Sequence, residues 1–248
     1  MLDPATSALL FLAGCVSWTI STFSGGTGSL ILLAAVTHVI RVKTVAPVIT
    51  IASLMASPAR ILVFWDHIEW PVVRWYLPGA VVGAMLGGWI FTWAGSDWLG
   101  LLVGLFLVST PFQYRLGGRA RSFPMQLPWF IPVSLAGGLI SGVIGASSLI
   151  SVPFYLNYGL TKERMIATGS VHSLFIQVTK IVTYSALGAL GLQSLLEGIS
   201  AGVGAIFAIY MTRRWLDGFK EVWFRRLAIL LMLISGSMLL WRSGHLLL

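Results

Sequence analysis

The chain is poor in charge and in cysteine. Lys, Arg, Asp and Glu together make up 10% of its 248 residues, against about 25% in a typical soluble domain. With 57% hydrophobic residues, a water-soluble fold of this size would expose far more apolar surface than such folds tolerate. Lipid is the solvent that fits. The single cysteine, Cys15, excludes an intrachain disulfide and a Cys-based metal cluster. No Lys or Arg precedes Arg41, so the basic leader of a cleaved signal peptide is missing and the first apolar stretch is expected to stay as a helix. HExxH, GxSxG and Walker A motifs are absent, and with them the usual signatures of a metalloprotease, a serine hydrolase or an ATPase. Glu69, Asp97 and Glu197 fall at loops or span ends, so no intramembrane carboxylate pair is expected. Nothing calls for a cofactor or a metal, and the reading is not an enzyme.

The net charge of +8 would suggest nucleic acid in a soluble protein. Here the cations sit in short gaps between apolar stretches, which is the pattern of loops held in the cytoplasm. No nucleic-acid partner is expected.

About 20 apolar residues span a bilayer as a helix. Long spans are expected at 5–23, 45–65, 72–94, 98–114, 129–144, 167–187, 192–212 and 223–241. Two shorter apolar pieces, 29–40 and 147–160, would cover roughly 18–21 Å each, less than the ~30 Å hydrocarbon core. They are expected as partial helices or re-entrant segments. Tryptophans at many span ends form the interfacial belt of a membrane protein. Glycines within spans, as at 79–88, allow helices to approach closely.

The two halves align at an offset of 120 residues. A small, polar break at 24–29 matches a second at 145–148, each followed by a short apolar run and then a basic pair, Arg41 and Lys43 or Lys162 and Arg164. Thr50, Ser53 and Arg60 match Ser170, Ser173 and Lys180 without a gap. This predicts an all-α, polytopic transmembrane bundle of two pseudo-symmetric repeats, 1–114 and 129–248, joined by a basic linker at 115–128. Counting ten segments, one face collects Arg74, Arg115, Arg119, Arg121, Lys162, Arg164, Arg213, Arg214, Lys220, Arg225 and Arg226, and the other Arg41, Lys43 and Arg242. That bias makes the first face cytoplasmic. Five segments per half makes the repeats inverted, as in many secondary transporters.

The breaks are the strongest local feature. Gly25, Gly26 and Gly28 with Ser24, Thr27 and Ser29 do not easily propagate a helix. Broken backbone at membrane depth survives only inside protein or beside a watery cavity. The helix start that follows offers free N–H groups and a positive dipole end, which favour an anion. Gly145, Ser147 and Ser148 would offer the same from the second half. The competing explanation is close helix packing through small residues. Arg60 and Lys180, cations within spans, would balance an anion's charge; the alternatives are snorkelling to a span end and, for Arg60, pairing with Asp66. His172, with Ser173, Gln177, Thr50 and Ser170, is a candidate proton or polar relay, although a single histidine more often bonds across helices. A Ser–His hydrolase built from Ser24 or Ser29 with His172, and a membrane scaffold or assembly factor without flux, are the rival functions.

The stretches FSGGTGSLILL at 23–33, DHIEWPVVRWYLPGAVVGAMLGGWI at 66–90 and GLISGVIGASSLISVPFYLNYGLTKERMIATGS at 138–170, with their duplicated order, resemble the sulfite exporter TauE/SafE family. In that family a glycine run precedes a proline in both halves. Here Leu33 stands at the first proline position and Pro153 at the second, while Ala146, Ser147 and Ser148 replace most of the second glycine run. The resemblance implies a secondary exporter of sulfite or an organosulfonate in the bacterial inner (plasma) membrane. Its partners would be the small anion, the lipid bilayer and a coupling proton or sodium ion.

Overall fold

The computed structural model describes residues 3–24, 28–36, 39–40, 42–93, 125–144, 148–160 and 162–216, with scattered positions elsewhere. All regular structure among the described residues is helical: α1 (Pro4–Ser24), α2 (Gly28–Val36), α3 (Val42–Val63), α4 (Trp70–Trp93), α5 (Phe130–Ile144), α6 (Ser148–Tyr158), α7 (Lys162–Ala186) and α8 (Leu192–Leu216). Among the described residues, four helices are both long and apolar enough to cross a membrane: Pro4–Phe23, Thr44–Val63, Lys162–Ala186 and Leu192–Leu216. Nearly all of the expected span at 98–114, the linker as far as residue 124 and most of the span at 223–241 lie outside the described residues.

The two short apolar pieces are helices of 9 and 11 residues, α2 and α6. At 1.5 Å per residue they reach about 14 and 17 Å, half a hydrocarbon core. Helix boundaries recur at the 120-residue offset: α1 ends at Ser24 and α5 at Ile144, α2 starts at Gly28 and α6 at Ser148, α3 starts at Val42 and α7 at Lys162. Packing recurs as well. α4 lies along α5 as α8 lies along α1, and α3 packs on α8 as α7 packs on α4. α3 and α7 form the central pair and run antiparallel, with Ser57 beside Ser173 and Thr50 beside Tyr184.

Glycine sets the helix spacing. A Cβ on Gly79, Gly83 or Gly87 of α4 would collide with the carbonyls of Ile131, Leu135 and Leu139 on α5, and one on Gly204 of α8 with the carbonyl of Phe11 on α1. In lipid, where apolar burial gives helices little reason to associate, this close backbone packing supplies much of the attraction.

Helix ends meet at one pole of the bundle. Arg164 pairs with Glu69, Lys162 Nζ donates to the Leu216 carbonyl over 2.9 Å, and Arg213 lies 5.0 Å from the Phe64 ring. α7 therefore begins five residues earlier than its apolar pattern suggests. Its first turn carries Glu163, favourable at a helix N-terminus. The cation at the end of α8 is in turn satisfied by its own helix dipole and by the partner contacts above.

Gly83→Leu and Gly204→Leu are expected to destabilise the bundle by at least about 1–3 kcal/mol, as overpacking does. Gly191, where an added methyl would meet nothing within 4 Å, should accept alanine with no loss. Melting of the detergent-solubilised protein, followed by size-exclusion fluorescence, checks the contrast.

Candidate functional site

Helical spacing places polar side chains on facing sides of the central pair. Ser53, Ser57 and Arg60 fall at i, i+4 and i+7 on α3; Ser170, Ser173 and Gln177 do the same on α7 within one residue. Between them lies a cavity of about 60 Å³. With a water's share of liquid volume about 30 Å³, this is room for about two waters or one compact oxyanion. Trp18 and Ser21 of α1, Gly28 and Ser29 at the start of α2, Tyr76 of α4, and Ser151 and Tyr155 of α6 complete its wall. Both short helices thus bring their first turns to the same space.

Arg60 is 8% exposed. Its Nη2 donates to Thr22 Oγ1 at 3.4 Å, and its Nε has no partner among the described residues. Asp66, the partner considered from the sequence, is exposed on the turn that follows α3. Burial also sets aside snorkelling for Arg60 and for Lys180, which is 0% exposed. No Asp or Glu is among the described residues lining the cavity.

Three further lining groups are buried without a partner among the described residues: Ser53 Oγ, His172 Nε2 and Gln177 Oε1. Because the two ends of an amide are interchangeable, Gln177 can present N–H to the cavity as well as oxygen. Other hydroxyls are already committed. Ser57 bonds the Ser53 carbonyl at 2.7 Å and lies 3.1 Å from Ser173 Oγ, while Ser170 bonds the Ile166 carbonyl at 2.6 Å. His172 is sandwiched: its ring stacks on Tyr76 at 3.7 Å and 1°, and the Tyr155 hydroxyl bonds Nδ1.

The residues singled out from the sequence divide into four sets. Gly28, Ser29, Arg60, Ser170, His172, Ser173 and Gln177 line the cavity together. Lys180 and Thr50 are buried but are not lining residues: Lys180 Nζ lies 5.9 Å from the Tyr184 ring centroid, and Thr50 bonds the Ala46 carbonyl and meets Tyr184. Ser24 ends α1 and Ser148 begins α6. Gly25, Gly26, Thr27, Gly145 and Ser147 lie outside the described residues.

Comparison with known families decides the class of this site. The family described as sulfite exporter TauE/SafE matches residues 10–239. The chain belongs to the sulfite exporter TauE/SafE family. TauE/SafE proteins are membrane transporters of sulfite-like anions, not enzymes, so the Ser–His hydrolase is set aside. The TauE/SafE assignment also makes the chain a multi-pass membrane protein whose substrate is a small anion. No curated protein and no solved structure matches it.

Several residues that line the cavity escaped sequence reading. Tyr76, Tyr155 and Trp18 look like ordinary membrane aromatics, and Ser151 hides in an apolar run. The i, i+4, i+7 pattern of Ser53, Ser57 and Arg60 was the one available signal. Glu197 also differs from expectation: it is 1% exposed inside α8, with Gln193 donating to Oε1 at 2.9 Å.

On a Cys15→Ser background, cysteine at Ser53 should react with a small water-soluble methanethiosulfonate reagent. Cysteine at lipid-facing Val203, 46% exposed, should react at least tenfold more slowly in liposomes. Labelling rates read by mass spectrometry check this.

Proposed function

We propose that this protein exports a small oxyanion, sulfite or an organosulfonate, across the bacterial inner membrane by alternating access. One observation carries the reading. Arg60, Ser53, His172 and Gln177 line one cavity, each carries a buried polar atom without a partner among the described residues, and that cavity has a cationic and no acidic wall residue among those described. A buried guanidinium left without a counter-charge costs several kcal/mol, and each unmet buried hydrogen bond about 1–3. A bound anion would meet the demands of Arg60, Ser53 and Gln177 together. The start of α2, with Ser24, Gly25, Gly26, Thr27, Gly28 and Ser29, and that of α6, with Gly145, Ser147 and Ser148, would add backbone N–H groups at two positive helix ends.

The two halves, 1–114 and 129–248, act as inverted repeats joined by the cytoplasmic linker at 115–128. Support comes from the matched helix boundaries and packing pairs at the 120-residue offset. The cation-rich pole formed around Glu69, Lys162, Arg164 and Arg213 is the cytoplasmic one by the positive-inside rule. Arg60 and Lys180 are then counterparts. Arg60 meets the cavity in this state, and Lys180, about 12 Å further along α7 than His172, takes the anion when the site faces the other side. Ser57 with Ser173 is bonded, whereas their offset partners Gln177 and Ser53 are the unmatched pair. That asymmetry is what one half of an alternating cycle requires.

The test is anion flux in proteoliposomes with sulfite, sulfoacetate and sulfate. Arg60→Ala is expected to lower flux about 10–100-fold, the worth of a charged hydrogen bond of ~1.5–3 kcal/mol, with Arg60→Lys intermediate and Lys180→Ala reduced as well. Undiminished flux in Arg60→Ala would remove the charge assignment. No flux with any anion would favour a scaffold.

A further inference from the structure

The cavity holds a second group able to take up positive charge. His172 is 1% exposed and lies on α7 between two tyrosines. Tyr155 of α6 bonds its Nδ1, and Tyr76 of α4 covers one ring face while its own hydroxyl lies 2.9 Å from Ser151 Oγ. With Nδ1–H donating to the Tyr155 oxygen, the neutral ring of this lining residue is left with a lone pair on Nε2, an atom buried without a partner among the described residues. A proton added at Nε2 makes the same atom a donor to an anion. The Tyr155 bond is unchanged by that step, and the face of Tyr76 favours the resulting cation.

Charge decides when the step happens. The titratable groups against the ring are Tyr76 on α4 and Tyr155 on α6, and Arg60 on α3 lines the same cavity. α1 and α2 contribute Trp18, Ser21, Gly28 and Ser29, which do not titrate. With the cavity empty, an imidazolium and Arg60 would be two buried positive charges with no carboxylate among the described lining residues. With a dianion between them, the three groups sum to zero. A monoanion is already balanced by Arg60.

Resting on the anion reading above, we propose that His172 binds a proton at Nε2 together with a divalent anion, so that one proton travels with each dianion and one net negative charge crosses per turnover. Proton and dianion then strengthen each other's binding by the same factor.

The full-length protein in detergent, at neutral pH in dilute buffer, is mixed with sulfate or with methanesulfonate. Binding is followed by tryptophan fluorescence and proton uptake by a pH dye. Wild type is expected to take up about one proton per bound sulfate and none with methanesulfonate. His172→Gln should bind sulfate several-fold more weakly and take up no proton. Sulfate binding without proton uptake in wild type, which needs no variant, overturns the proposal, as does equal uptake by His172→Gln. If sulfite alone binds, equal uptake by wild type and His172→Gln shows that sulfite carries its own proton and again overturns it. Binding of none of these anions sinks the anion site itself, a separate and earlier failure.

Discussion

Arg60 stands inside a lipid-facing bundle, 8% exposed and without a carboxylate partner among the described residues. A cation at membrane depth is costly, and a guanidinium does not discharge under ordinary conditions. The cavity wall is organised around that charge. Gly28 and Ser29 come from one short helix, Ser151 and Tyr155 from the other, and the serines of α3 and α7 face each other across it. Among the described residues that charge has no counter-charge, which is a cost in stability.

The scaffold that holds this charge is rigid at its flanks and short-reaching at its centre. α4 and α5, and likewise α1 and α8, meet through glycines at backbone distance. α2 and α6 span about half the membrane and begin at the cavity. A bundle built in this way can rock paired helices about the α3–α7 seam, where the contacts are small hydroxyls such as Ser57 and Ser173. Hydroxyl contacts exchange partners at little cost, whereas interlocked glycine faces do not.

Much of the architecture was legible beforehand because membranes constrain sequence so strongly. The helical class, four of the expected spans and the two short pieces follow from hydropathy and from the order of polar breaks. Gly28, Ser29, Arg60, Ser170, His172, Ser173 and Gln177 were marked by their chemistry in an apolar setting, and they share one wall. Tyr76, Tyr155 and Ser151 were not marked, since an aromatic or a serine in a membrane helix has many ordinary uses.

What the sequence determined by itself was the solvent, the helical class and the presence of cations inside spans, because each follows from composition and local period. Which cation meets the cavity was a tertiary decision. Arg60 and Lys180 occupy equivalent places in the chain, yet one lines open space and the other packs beside Tyr184. The same holds for His172, whose stack on Tyr76 and bond to Tyr155 join α7 to α4 and α6. Periodicity reports which side of its own helix a residue occupies. It carries no information about what another helix brings to that side, and only folding settles that.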